Sequence, residues 1–87
     1  MNDNIESFKE TVDVPDNFSG KCYITSSQQT RSYKNGKRHC LDGPAVVARL
    51  EGNIRKLYFI NGKNLSPKMF WKHPEVIQHI INSIVEL

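Results

Sequence analysis

Several features that mark common protein classes are scarce in this chain of 87 residues. Its two cysteines, Cys22 and Cys40, lie far from any Cys-x-x-Cys or zinc-ligand spacing, so we expect reduced thiols and not a disulfide scaffold. No apolar run approaches the roughly 18 residues that cross a bilayer, and no signal-peptide pattern opens the sequence. We therefore expect a soluble cytoplasmic protein without membrane association.

Acidic residues are also scarce over most of the chain. Between residues 17 and 72, eleven Lys and Arg residues face only Asp42 and Glu51, a net charge of +9. Residues 1–16 carry a net charge of −4, and residues 73–87 carry −2. A segment with this much positive charge favours the binding of polyanions, either nucleic acid or an acidic protein surface. The alternative is a solvated surface of exposed lysines with no binding role.

Catalytic patterns are missing as well. The sequence has no phosphate-binding Gly-rich loop, no Ser-His-Asp arrangement and no paired carboxylates in its basic segment. Its histidines, His39, His73 and His79, show no metal-ligand spacing. We predict a protein that is not an enzyme and that holds neither a metal nor a cofactor. A small nuclease that uses His39 is the less favoured alternative.

Turn signals divide residues 17–65 into short strands. Asn35-Gly36 and Asn61-Gly62 each predict a type I′ hairpin, because these residues tolerate the positive φ that both central positions need. Alternating or strand-favouring residues flank both turns. We expect an antiparallel sheet of about four to six strands. Residues 1–16 are expected to be loosely ordered or to add one edge strand near Val12.

Residues 66–87 predict helices. Ser66-Pro67 is typical of a helix start, and Pro74 begins a second helix that continues to Leu87. Six apolar residues recur in it at three- and four-residue intervals and are expected to be buried, against the sheet or against a second copy in a homodimer: Val76, Ile77, Ile80, Ile81, Ile84 and Val85.

The predicted fold class is therefore α+β, an antiparallel sheet of Asn-Gly hairpins followed by C-terminal helices. We expect one domain overall, since a chain this short supports one core. Its parts are an acidic N-terminal segment (1–16), a basic β-hairpin sheet (17–65) and a C-terminal helical segment (66–87).

Basic and aromatic residues alternate within two predicted strands. Residues two apart in a strand share a face, so Arg31 lies beside Tyr33 and Lys56 beside Tyr58. Such pairs suit phosphate contact with base stacking, as on the sheets of single-stranded RNA binders. The alternative is that these rings are core. The candidate nucleic-acid or partner-binding residues are Arg31, Tyr33, Lys34, Lys37, Arg38, His39, Arg49, Arg55, Lys56 and Tyr58.

His39 has a second interpretation besides membership of the basic hairpin. It could stabilise its turn through a hydrogen bond to Asp42 or to a backbone carbonyl, which is at least as common for a histidine at such a position.

The segment Asn35-Gly36-Lys37-Arg38-His39-Cys40-Leu41-Asp42-Gly43-Pro44-Ala45 resembles the motif N-G-K-x-H-x-x-D-G-P-A of MORN-like hairpin repeats in small proteins of tailed bacteriophages. The likeness covers roughly residues 30–72, and the second Asn-Gly-Lys looks like the start of another repeat. The resemblance implies a phage protein made in the host bacterial cytoplasm. It carries no catalytic residues to this chain, because the family has no single activity.

Size and charge are similar to those of phage inhibitors that block host endoribonuclease toxins, an analogy and not a motif match. The leading hypothesis is a non-enzymatic phage protein that neutralises a host defence factor, plausibly a toxin endoribonuclease, and that binds RNA through its basic sheet. The second hypothesis is a structural or assembly module that pairs through hairpin edges.

Overall fold

The computed structural model describes the backbone of residues 5–85 and the side chains of residues 5–84. This part of the chain forms a sheet, a short 3-10 helix (Thr11–Asp13) and two α-helices. The strands are β1 (Glu6–Phe8), β2 (Gly20–Ile24), β3 (Gln29–Lys34), β4 (Lys37–Arg38), β5 (Val46–Leu50), β6 (Asn53–Ile60) and β7 (Lys63–Leu65), and the helices are α1 (Pro67–Trp71) and α2 (Pro74–Val85).

The strands are ordered β1-β2-β3-β5-β6-β7 across the sheet, and β4 also pairs with β3. All pairs are antiparallel except β1 with β2. The predicted α+β class, with the sheet preceding the helices, is confirmed.

The N-terminal segment differs from its prediction. The strand expected near Val12 lies instead at β1, because Glu10 and Asp13 form a capping box that closes a 3-10 turn around Val12. The backbone N–H of Thr25 donates to the carbonyl of Phe8 at 2.9 Å, which ties β1 to the sheet. The segment is thus paired with the sheet through β1 and Lys9, and β1 raises the strand number above the predicted four to six.

Both Asn-Gly turns have the predicted backbone. Asn35 and Gly36 have φ values of 52° and 82°, and Asn61 and Gly62 have 51° and 84°. Their positive sign at both central positions defines the type I′ geometry, which matches the twist of the flanking strands.

The turn glycine of each Asn-Gly hairpin donates a hydrogen bond to a segment that lies earlier in the chain. The backbone N–H of Gly36 donates to the carbonyl of Phe18, and that of Gly62 donates to the carbonyl of Arg38, each at 2.8 Å. The second contact places β4 between β3 and the end of β6, where the N–H of Cys40 donates to the carbonyl of Phe59 at 3.2 Å. Each turn therefore rests on the segment that precedes its hairpin.

The helices cover one end of the sheet. The Ser66 hydroxyl accepts a hydrogen bond from the N–H of Met69 and caps α1, as its position before Pro67 predicts. Phe70 of α1 and Val76 of α2 are fully buried and form one cluster with Ile60 of β6.

The expected burial of the apolar stripe against the sheet is wrong at four of its six residues, whereas Val76 is buried as expected. The side chain of Val85 and residues 86–87 of the predicted helix lie outside the described residues. The outward part, which we name the isoleucine stripe (Ile77, Ile80, Ile81 and Ile84), is 40–63% exposed. The helix contacts the rest of the chain through Val76, which packs with Ile60 and Phe70, and through His79, which pairs with Asp42. The radius of gyration is 13.6 Å, whereas a compact chain of this length has about 12 Å.

Neither helix among residues 5–85 is long and apolar enough to cross a membrane.

Candidate nucleic-acid interface

Strand register assigns the side chains to the two sides of the sheet. Directly paired residues in neighbouring strands point to the same side, and successive residues in one strand point to opposite sides. One row across the sheet joins Tyr23, Thr30, Val47 and Lys56. The neighbours of Tyr23 in β2, Cys22 and Ile24, point to the opposite side of the sheet and are fully buried.

We name the first side the basic face. The register places six exposed cations on it, contributed by six strands: Lys21, Lys34, Lys37, Arg49, Lys56 and Lys63. None of these six lies within 4.0 Å of a carboxylate in the part of the chain that the structure describes. Their charges are therefore available to a ligand.

The opposite side is the covered face. It carries Cys22, Ile24, Val46, Ala48 and Phe59, all buried. The rings of Phe8, in β1, and of Phe18 also lie on this side.

Aromatic contacts on the covered face join Phe8 of β1, Phe18 before β2 and Tyr33 of β3. The ring of Phe8 lies 5.6 Å from that of Phe18, which lies 6.0 Å from that of Tyr33. Glu6, paired with Cys22, shares this side. Among the acidic residues of the N-terminal segment, the register thus directs Glu6 away from the basic face.

Uncharged groups lie among the cations of the basic face. Tyr23 is 36% exposed and stands between Lys21 on its own strand and Thr30 on the next. Ile54, paired with Arg49, is 53% exposed. A ring and an aliphatic side chain beside cations offer flat apolar contact together with charge, which is the combination that unpaired bases and their phosphates need.

Five of the ten predicted site residues lie on the basic face: Lys34, Lys37, Arg49, Lys56 and Tyr58. Tyr58 is committed to packing, because its ring lies 4.9 Å from that of Phe70 and 6.3 Å from that of Trp71. Lys56 and Tyr58 therefore lie on the same side of the sheet as expected, but the Tyr58 ring packs against α1 instead of standing free beside Lys56.

Four predicted residues lie on the covered face: Arg31, Tyr33, Arg38 and Arg55. The predicted contact within the first pair is present, since an Arg31 guanidinium nitrogen donates to the Tyr33 hydroxyl at 3.1 Å. Arg31 also donates to the Gln29 side-chain oxygen at 2.8 Å. This arginine is thus held by its own strand and faces away from Lys56.

Arg38 is held by a different contact. Its guanidinium carbon lies 4.1 Å from the centroid of the Phe59 ring, a cation–π distance. The Arg38 carbonyl also accepts a hydrogen bond from the Gly62 N–H. The side chain and the backbone of Arg38 therefore both link the two hairpins. Of the four predicted residues on this side, Arg55 alone is classed as exposed.

His39 has a structural contact that neither sequence interpretation foresaw. Its Nδ1 accepts a hydrogen bond from the backbone N–H of Asn61 at 2.9 Å, while Asp42 instead pairs with Nε2 of His79. Burial lowers the pKa of His39 from its ordinary value, and the nearby positive charge of Lys34 lowers it further. The neutral ring that accepts from Asn61 is therefore the favoured form.

Sequence reasoning missed Lys21, Tyr23 and Lys63. The alternation of Lys21-Cys22-Tyr23-Ile24 already implies that Lys21 and Tyr23 oppose the apolar pair. What it does not give is the partner strand. Only the register from β2 through β3 and β5 to β6 places Lys21 and Tyr23 on the same side as Lys56.

Comparison of the chain with protein-family models, with curated proteins and with solved structures found no match. The resemblance to MORN-like phage repeats stays a prediction.

Proposed function

We propose that this protein binds single-stranded nucleic acid, RNA in particular, through its basic face and without turnover. The observation that carries the proposal is the presence of six exposed cations on one side of the sheet, none within 4.0 Å of a described carboxylate. A polyanion that follows this face gains several phosphate contacts at once, and the counterions it releases make the association favourable.

Single-stranded RNA fits the face better than a duplex does. Single-strand binders combine a positive surface with rings on which bases stack, and Tyr23 offers a partly exposed ring between the cations. The cations of the basic face lie on strands, whereas duplex DNA is usually read by a helix that enters the major groove.

The histidines support binding without catalysis. His39 and His73 each accept a backbone N–H at Nδ1, from Asn61 and Glu75, and His79 pairs with Asp42. Each ring thus has its own structural partner on a different part of the chain. A histidine nuclease needs a general base and a general acid directed at one reacting phosphate.

Assembly through sheet edges is the weaker candidate. The outer strands β1 and β7 have three residues each, and β7 begins with Lys63. Short, charged edge strands disfavour the addition of further strands.

The proposal is tested by titrating the purified protein into a fluorescent single-stranded RNA of about 15 nucleotides at several salt concentrations. If all six cations contact phosphates, the slope of log K against log salt is about −4, from about −0.7 per contact. Edge pairing between copies involves no phosphate contacts, so that alternative predicts no salt-dependent binding of the RNA. Absence of binding at low salt contradicts the proposal.

Affinity purification from bacteria that express the protein, with and without ribonuclease treatment, examines the same proposal in the cell. RNA recovered without the nuclease and lost with it supports the proposal. The same experiment tests the expectation that a host defence protein is a partner: such a protein is expected to remain bound after ribonuclease treatment.

A further inference from the structure

The isoleucine stripe is the most apolar surface of the C-terminal part that the structure leaves uncovered. Ile77, Ile80, Ile81 and Ile84 follow one another at intervals of three, one and three residues, so they line one side of α2. All four are 40–63% exposed, whereas Val76, one position before the stripe, is fully buried. Helix α2 is thus attached to the rest of the chain through Val76 and through the pair of His79 with Asp42, while the isoleucine stripe stays uncovered.

We propose that the stripe is the interface with a second copy of this chain, in which the two α2 helices pack against each other around a two-fold axis. In such an interface the same patch serves both partners, so one exposed stripe is enough to define it. The proposal is independent of the nucleic-acid function proposed above.

The polar side of α2 leaves the stripe free for such a contact. At roughly 100° per residue, Glu75 and Asn82 lie about 160–180° around the axis from Ile84. Glu75 and Asn82 therefore point away from the stripe, and Gln78 lies at its border, about 60° around the axis from Ile81. When two helices pack along a shared seam, isoleucines at this spacing on one helix insert between those of the other.

Charge favours α2 over the rest of the molecule as the meeting point of two copies. Residues 73–87 contain no Lys or Arg and carry a net charge of −2, whereas residues 17–72 carry +9. Two basic faces repel each other, and the C-terminal helix is the place where copies approach with the least repulsion.

The helices offer enough surface for a small interface. Helix α2 has 12 residues and is therefore about 18 Å long. Helix α1, which packs against it, adds Met69 and Trp71, 58% and 46% exposed. Monomeric proteins rarely expose contiguous apolar patches of more than a few hundred Å², and stable interfaces bury about 800 Å² per partner. The four isoleucines, each 40–63% exposed, supply the apolar centre of such an interface.

A lipid surface fits α2 less well than a second copy does. Helices that lie in a membrane interface carry Lys and Arg on their polar side, next to the lipid headgroups. On α2 that side carries Glu75, Gln78 and Asn82, which anionic headgroups do not attract.

The test compares two substitutions that add the same charge at similar exposure. Ile81→Glu changes the stripe, and Ile54→Glu changes the basic face, where Ile54 is 53% exposed. By sedimentation at about 100 μM, we expect wild type and Ile54→Glu at twice the chain mass of 10.0 kDa, and Ile81→Glu as a monomer. We expect Ile81→Glu to raise the dimer dissociation constant at least about tenfold. A monomeric wild type, or a dimer unaffected by Ile81→Glu, overturns the proposal.

A second measurement avoids the added charge, in case Ile81→Glu fails to fold. Ile81→Cys, in a chain in which Cys40 is replaced by serine, is expected to form a disulfide between copies under mild oxidation. Ile54→Cys in the same background is the control and is expected to stay uncrosslinked. Equal crosslinking of both variants shows random collision and overturns the proposal.

Discussion

The imidazole of His39 accepts a hydrogen bond from the backbone N–H of Asn61, just as the hydroxyl of Ser19 accepts one from the backbone N–H of Asn35. The two hydrogen bonds measure 2.9 Å and 2.8 Å. In both hairpins the next residue, the turn glycine, donates to the carbonyl of the residue before the acceptor. Ser19 and His39 thus occupy equivalent positions. The same pair of hydrogen bonds holds each Asn-Gly turn against an earlier segment of the chain.

The His39 contact predicts that stability depends on pH. Burial, and then Lys34, lowers the pKa of the folded imidazole below its ordinary value of 6.5. Below pH 6.5 the unfolded chain therefore binds this proton more readily than the folded chain does. We expect the free energy of unfolding to decrease as the pH falls from 6.5 through the lowered pKa, as measured by urea unfolding.

A His39→Gln variant separates this effect from that of other groups, because glutamine retains an acceptor for the Asn61 N–H but does not titrate. The difference in stability between wild type and variant is expected to shrink or change sign as the pH falls, in favour of the variant. A difference that stays constant from pH 7 to pH 5 contradicts the prediction.

Gly36 is predicted to be far less tolerant of alanine than Gly52 is. Both glycines have positive φ, 82° and 85°, so a side chain costs each about 1–2 kcal/mol. A Cβ at Gly36 would also lie 1.8 Å from the Asp16 carbonyl oxygen, whereas a Cβ at Gly52 meets nothing within 4 Å. We expect Gly36→Ala to cost at least about 3 kcal/mol, since the backbone of residues 16–17 must move. Equal urea midpoints for the two variants would show that the turn does not need this close approach.

The hairpins were predictable because their signal is local. Positive φ at two successive residues is a requirement that Asn-Gly meets and most pairs do not, so the turns at Asn35 and Asn61 follow from the dipeptide alone. The strand at β1 was not predictable from its own three residues. Its place depends on a parallel pairing with β2 and on the 3-10 turn after it.

The isoleucine stripe shows the limit of periodicity. A spacing of three and four residues predicts that one side of α2 is apolar, but it does not specify which surface covers that side. The candidate site shows the same limit. Arg55 and Lys56 are adjacent bases on one strand, and only the sheet register decides that Lys56 joins Arg49 while Arg55 faces the covered side.

The two thiols are predicted to differ in reactivity. Cys22 is fully buried, and its burial raises the pKa of the thiol, while Cys40 is half-buried. Because the thiolate is the reactive species, a chromogenic disulfide reagent is expected to modify Cys40 first. If Cys22 reacts only after global unfolding, its rate is lower by at least about a thousandfold. Loss of the fast phase in Cys40→Ser confirms the assignment, and a fast phase of two thiols in the native protein contradicts it.

Lys56 and Arg55 provide the sharpest test of the basic face. Both are exposed cations on β6 and they are neighbours in sequence, but they point to opposite sides of the sheet. Lys56→Gln is expected to weaken single-stranded RNA binding and to reduce the magnitude of the salt slope by about 0.7, the loss of one phosphate contact. Arg55→Gln removes the same charge from the covered face and is expected to leave the slope unchanged. If both variants weaken binding equally, the protein attracts RNA through its net charge alone, because a directional face must distinguish between charges on its two sides.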